Sequence, residues 1–450
     1  MISTGQGFAP ECRVVNFYYG KSEPDMTQNF QAAAVEQVAV IGAGTMGRGI
    51  AISFANAGIN VTLLDLNDDV RAQAMDYIGK IYAQMVERER ITQEQMDARL
   101  ACFSDTGNYA DIAHVQLVVE AVYENLALKQ TIFRELDRVV NADAILATNT
   151  SYLDIDAIAA ETSRPEKVLG MHFFSPAHIM KLLEIVRGAK TDPAVLGLVE
   201  ALGARIGKVA VVAGNCHGFI GNRMLEPYVF QSRRLLLEGA LPQQVDQALE
   251  AFGMAMGPFR MYDVVGIDLE WRSRQMADVK FEQGSADELN VRVDDRLCEM
   301  ERFGQKNGKG YYRYEAGSRQ ALRDDEVEAL VVEISTAAGF ARRSISDNEI
   351  VERCLLGLIN EGARILQEGI ASSSADIDKV YLNGYGFPAE RGGPMAYADE
   401  RGVANVYNAL KALEAEHGEF FKPAALLQRL AEQQRCFADV NSSDINTESK

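Results

Sequence analysis

From Val35 onward, short runs of β-branched and other apolar residues alternate with longer stretches of helical periodicity, which predicts βαβ units on a parallel sheet. The runs are Val38 to Ile41, Val61 to Leu64, Leu117 to Val119, Ala144 to Ala147, Val168 to Met171 and Val209 to Val212. They place a doubly wound α/β domain over residues 35–215. Ahead of it, residues 1–34 carry no periodicity beyond an aromatic run around Phe17 to Tyr19 and read as a tail or linker. After His217 the pattern turns helical. Leu235 to Gly239 is followed by Gly257-Pro258 and Asp263, and Ile365 to Gly369 is followed by Gly393-Pro394 and Asp399, with the same Gly-Pro to Asp spacing in both. This predicts two tandem all-α domains, at 216–320 and 345–440, related by duplication. The competing reading is chance matching of helix-stop residues.

A chain of 450 residues is long enough for two or three cores. No stretch approaches the ~20 apolar residues that span a bilayer, so a soluble protein is expected. The net charge of -19 argues against a nucleic-acid partner and requires that any anionic ligand be held by local donors. Six scattered cysteines include no C-x-x-C pair and no dense disulfide framework, which fits a reducing compartment. The first ten residues lack a basic flank before an apolar core, and Glu11, Glu23 and Asp25 argue against a transit peptide, so the expected location is cytoplasmic.

The first apolar run leads directly into Gly42-Ala43-Gly44-Thr45-Met46-Gly47 and then a helical stretch, the context that a dinucleotide fingerprint requires. Gly42 permits the tight turn, Gly44 admits the pyrophosphate and Gly47 allows close helix packing, while the helix amino terminus faces the phosphates. The second run ends at Asp65, close to the ~20-residue distance at which a carboxylate takes the adenosine ribose. No Arg follows in Leu66-Asn67-Asp68-Asp69, so NAD is expected over NADP. The alternative is a glycine-tight βαβ unit without ligand.

Only five histidines occur: His114, His172, His178, His217 and His417. His172 stands at the end of a strand run, and Glu184 follows in Lys181-Leu182-Leu183-Glu184. A carboxylate on one imidazole nitrogen would fix the tautomer and leave the other nitrogen to take a substrate proton. Spacing alone leaves that pair suggestive.

At these residues the chain closely resembles the 3-hydroxyacyl-CoA dehydrogenase family. The resemblance rests on Asn149-Thr150-Ser151, His172-Phe173-Phe174-Ser175-Pro176, Met180 to Glu184 and Gly218-Phe219-Ile220-Gly221-Asn222-Arg223, and runs from about Val35 to beyond Gly402. It implies that an NAD-dependent enzyme oxidises an acyl-CoA thioester, with His172 as general base, Glu184 as its orienting partner, and Ser151 and Asn222 positioning the reacting oxygen. It further implies that Glu124 and Lys129 line the nicotinamide half, that Lys306 reaches the cofactor from the helical part, and that Arg88 serves the CoA moiety. Ser175 stands where many relatives have Asn, which bears on its own cofactor contact. For Glu124 and Lys129 the plain alternative is a solvated helix pair; for Arg88, a surface charge; His178 and His217 read as local structure.

The duplicated helical part resembles that of multifunctional β-oxidation enzymes, through Tyr381-Leu382-Asn383-Gly384-Tyr385-Gly386-Phe387-Pro388 and Arg391-Gly392-Gly393-Pro394. Those relatives carry a hydratase half before the nucleotide domain. Here only the tail precedes the first strand, so hydratase activity is expected to be absent and to come, with a thiolase, from separate proteins. The second repeat is expected to cover the face through which shorter relatives dimerise, giving a monomer. Two other classes compete: a non-catalytic protein on the same scaffold, and a 2-hydroxyacid or sugar-acid dehydrogenase with a catalytic Lys.

Overall fold

Eight strands form one sheet: β1 (Gln37–Ile41), β2 (Asn60–Leu64), β3 (Phe103–Thr106), β4 (Leu117–Glu120), β5 (Ile145–Thr148), β6 (Val168–Phe173), β7 (Leu182–Arg187) and β8 (Val209–Gly214). The order is β3-β2-β1-β4-β5-β6-β7-β8. The computed structural model describes residues 35–276, 279–441 and 444–445, so the tail expected over 1–34 lies outside the described residues. The apolar runs read from the sequence all become strands; those in β1, β4, β5 and β6 are buried, as expected for strands covered on both faces, whereas Thr62 of β2 and Ala210 and Val212 of β8 are half-buried.

Two strands lack that signal. β3 is a four-residue edge strand with exposed Ser104 and Asp105, so it shows no apolar run. β7 corrects the expectation of a parallel sheet, because it runs antiparallel to β6 and pairs His172 directly with Glu184. The remaining pairings are parallel. Gly170 admits this arrangement, since a Cβ there would lie 2.7 Å from the Val186 Cβ across the ladder. The sheet reverses its winding between β1 and β4, which opens a crevice beyond their carboxyl ends.

Beyond β8 the chain is helical. The helix Gly221–Glu238 packs on the helix Asp347–Gln367, and the fully buried Arg353 guanidinium ties them through Gln231 (3.0 and 2.9 Å) and Glu238 (2.5 Å). Removing one partner from such a buried ionic group typically costs about 3–5 kcal/mol. The duplication extends to the helix caps. Asp246 receives the amides of Phe259 and Arg260 behind Gly257-Pro258, and Asp378 receives those of Met395 and Ala396 behind Gly393-Pro394. A Cβ on Gly257 or Gly393 would sit 2.4 Å from the capping aspartate, which explains the glycine in both copies. Burial pushes each aspartate up to about 7. Residues 321–344, left between the two repeats by the sequence, contain a further helix, Asp325–Ala337, joined to the first repeat by the Ser335 hydroxyl on the Leu237 carbonyl.

Candidate active site

The glycine loop follows β1 at the crevice. Gly42 has φ +94°, and a Cβ there would lie 2.8 Å from the Ala121 carbonyl oxygen; one on Gly47 would overlap the Gly42 carbonyl at 1.7 Å. Both positions therefore exclude a side chain. Gly44 differs, because nothing lies within 4 Å of its would-be Cβ. The helix Thr45–Asn56 starts there without a side-chain cap, with Gly44 and Thr45 exposed and Met46 half-buried. Its leading amides are suited to a phosphate.

Asp65, just beyond β2, accepts the Ala43 amide at 2.9 Å and the Asn67 amide at 3.0 Å. Open space at Gly44, an uncapped helix start and a half-buried carboxylate together fit a dinucleotide without a 2′-phosphate. Asp65→Ser is expected to lower the NAD-to-NADP preference by about 10-fold or more, since a charge-assisted hydrogen bond is worth ~1.5–3 kcal/mol. Part of the fall reflects weaker NAD binding through the loosened Ala43 turn. Titration of both cofactors checks this, and an unchanged ratio contradicts it.

Three strand ends away, the β6–β7 register brings His172 Nδ1 to 2.8 Å from Glu184 Oε2. Glu184 is wholly buried and His172 nearly so. The other carboxylate oxygen accepts the amides of Ile220 (3.2 Å) and Gly221 (3.0 Å). The turn before the helix Gly221–Glu238 delivers those amides through two left-handed residues, Gly218 at φ +73° and Phe219 at φ +52°. Phenylalanine in that region costs roughly 1–3 kcal/mol and persists only where its surroundings enforce it. Here the fully buried ring packs 5.7 Å from the His172 imidazole. With Nδ1 donating to Glu184, Nε2 is left as the acceptor, and Ser151 Oγ lies 3.2 Å from it.

Ser151 is placed by Glu124, whose Oε1 accepts the Thr150 hydroxyl (2.5 Å) and the amides of Ser151 (2.8 Å) and Tyr152 (3.1 Å). Beneath it lies a buried polar cluster. Lys129 is fully buried, with its ammonium 2.8 and 2.9 Å from the two oxygens of Glu120 and 3.6 Å from Glu124. Thr148 also donates to Glu120. For Lys129 this replaces the solvated helix pair that the sequence allows.

Asn222, on the first turn of its helix, accepts a hydrogen bond from the Tyr385 hydroxyl at 2.7 Å. Phe174 packs on His172 with ring centroids 4.3 Å apart. The remaining candidates form no hydrogen bond with His172, Glu184, Ser151 or Asn222 among the described residues. Ser175 is exposed just past β6, and Arg88 is an exposed residue at the end of the helix Asp68–Glu87. Lys306 is paired with Asp268 and lies 5.7 Å from the Phe303 ring, and both partners belong to the helical half. Sequence reasoning missed Glu120, Asn149, which receives the Phe173 amide at 2.8 Å, and Tyr385. The only signal for Asn149 and Tyr385 was their place inside family-like blocks.

A dinucleotide loop at one strand end and an imidazole–carboxylate pair at another, beside an all-α half, define the class of NAD-linked dehydrogenases. Residues 37–216 match the model of the 3-hydroxyacyl-CoA dehydrogenase NAD binding domain, and residues 218–314 and again 350–438 match that of the family's C-terminal domain. The chain belongs to the 3-hydroxyacyl-CoA dehydrogenase family, and its first domain binds NAD. It is 42% identical over 416 residues to the peroxisomal bifunctional enzyme of Danio rerio, covering 89% of this chain and 57% of that one. The chain thus spans little more than half the length of this relative. Among solved structures, 3-hydroxybutyryl-CoA dehydrogenase from Escherichia coli superposes with a TM-score of 0.75 at 27% identity, covering 89% of this chain and 99% of that one. The dehydrogenase part of multifunctional enzyme 1 from C. elegans gives 0.64 at 28% identity, covering 88% of this chain and 89% of that one.

Proposed function

We propose that the chain oxidises an (S)-3-hydroxyacyl-CoA to the 3-oxoacyl-CoA, in fatty-acid β-oxidation or a related CoA-thioester pathway. The observation that carries the reading is the continuous chain Ser151–His172–Glu184, fixed by the antiparallel β6–β7 register. His172 Nε2 removes the hydroxyl proton, with Ser151 and Asn222 holding the reacting oxygen. Glu184 stabilises the imidazolium that forms, and its backbone donors keep it in place. NAD, when bound at the glycine loop, supplies the hydride acceptor. The rings of buried Phe219 and half-buried Phe174 wall the imidazole and limit its contact with water. In this reading Glu124 and Lys129 shape the nicotinamide side, Ser175 and Lys306 contact the cofactor from opposite halves, and Arg88 meets the CoA. The working units are residues 35–215, 216–320 and 345–440.

A chain-length series of 3-hydroxyacyl-CoA thioesters, run beside the free hydroxy acids, tests the proposal. NADH formation with thioesters alone supports it, and turnover of the free acids at equal efficiency contradicts it. Coupling to a hydratase that makes the substrate and a thiolase that consumes the product belongs to the same proposal. Among the described residues no helix is long and apolar enough to cross a membrane; a reducing compartment, in our reading the cytoplasm, belongs to the same proposal.

The monomer also belongs here. Arg223 of the first repeat binds Glu361 (2.7 Å) and Glu368 (2.6 Å) of the second, and one apolar core runs through both repeats. Cutting the chain after residue 320 is expected to expose that core and give aggregates or a new dimer by light scattering. A stable, active monomer after the cut contradicts a covering role.

A further inference from the structure

The turn that carries Tyr385 enters the site from the second repeat and is held by glycines on either side. A Cβ on Gly384 would lie 2.4 Å from Leu182 at the start of β7, and one on Gly386, at φ +67°, would lie 2.7 Å from the Ala255 Cβ in the first repeat. The Tyr385 ring stacks on Tyr381 (4.8 Å, 24°), meets Phe174 edge-on (5.7 Å, 76°) and covers Gly221, where a Cβ would be 2.4 Å from the ring and its hydroxyl. Phenylalanine would satisfy all of this packing. The hydroxyl has a separate task, because it reaches Asn222 Oδ1 at 2.7 Å. Burial, with the Glu184 carboxylate nearby, pushes the Tyr385 phenol well above its ordinary value, so it stays protonated and donates. In this arrangement Asn222 presents its oxygen to Tyr385, which leaves its Nδ2 hydrogens as the donors available to a ligand.

We infer that Tyr385 is a positioning residue for the reaction: its hydroxyl locks the Asn222 side-chain amide so that the NH2 group faces the reacting oxygen of the acyl-CoA. The inference rests on the activity proposed above. It makes the second helical repeat a contributor to the site as well as a cover for the first, since the hydroxyl arrives from 163 positions beyond Asn222. Without it the amide can turn its carbonyl toward an oxygen and repel it.

The test is a double-mutant cycle on the full chain, using Tyr385→Phe, Asn222→Ala and the pair, with NADH formation from a 3-hydroxyacyl-CoA, NADH affinity and thermal melting as readouts. Tyr385→Phe is expected to lower kcat about 10-fold, as loss of one orienting hydrogen bond allows, with NADH affinity and melting temperature nearly unchanged. In the Asn222→Ala background the same change is expected to have no further effect on kcat. A parental kcat in Tyr385→Phe overturns the inference alone. So do effects that simply multiply in the double variant, or a kcat loss that tracks a fall in melting temperature, which marks packing. A parent chain inactive on every 3-hydroxyacyl-CoA overturns both the inference and the proposed activity.

Discussion

Changing His172 to Gln is expected to lower kcat by about 100-fold or more, the scale set by loss of a positioned general base. NADH affinity should stay nearly intact, because in the proposed reaction the imidazole acts on the substrate proton. The phosphate-binding loop lies at the end of β1, whereas His172 lies near the end of β6, with β4 and β5 between them in the sheet. Glutamine is close in reach to histidine and can still donate to Glu184, so the β6–β7 ladder and the Asn149 contact to Phe173 should persist. Steady-state rates with a matched NADH titration separate the two effects. Near-parental turnover would remove His172 from the mechanism.

Glu184→Gln is expected to be nearly as damaging, by a different route. The carboxylate satisfies three donors with two oxygens: Nδ1 of His172 on one side, the Ile220 and Gly221 amides on the other. A side-chain amide has one oxygen and one NH2, so in a position with no solvent contact one side must face donor against donor unless the imidazole changes tautomer. Such a buried mismatch costs about 1–3 kcal/mol, before the lost stabilisation of imidazolium is added. If the oxygen turns to the helix start, the imidazole is driven to the other tautomer and Nε2 no longer accepts. If it turns to His172, the helix start loses its partner and Asn222 shifts with it. Either outcome should lower kcat by about 100-fold and alter its pH dependence. An unchanged rate and pH profile would mean that the pair is structural only.

Where local pattern carries the information, the sequence is readable. Buried parallel strands are continuous apolar runs, and the glycine loop is defined by what cannot fit at Gly42 and Gly47, so both were visible before any coordinates. The Gly-Pro to Asp repeat was visible for the same reason, although the capping roles of Asp246 and Asp378 were not. β7 was hidden because its central residue is a buried glutamate, which breaks an apolar run, and its direction depends on the sheet as a whole. For Lys129 the sequence offers a nicotinamide-side residue or a solvated helix pair, and its burial against Glu120 at the β4 end depends on the fold. Tyr385 depends on a contact between distant segments of the two halves, and no spacing rule reaches that far. The pattern therefore leaves His172 and Glu184 suggestive, the family resemblance gives them roles, and their direct cross-strand pairing belongs to the fold.

The central claim is that a proton leaves the hydroxyl for His172 while the hydride from the same carbon goes to NAD. Turnover of a 3-hydroxyacyl-CoA carrying deuterium at C3, with mass analysis of the recovered NADH, measures this directly. One deuterium per NADH formed, matched by one 3-oxoacyl-CoA, is the predicted result. Consumption of the thioester without deuterium in NADH would contradict the account.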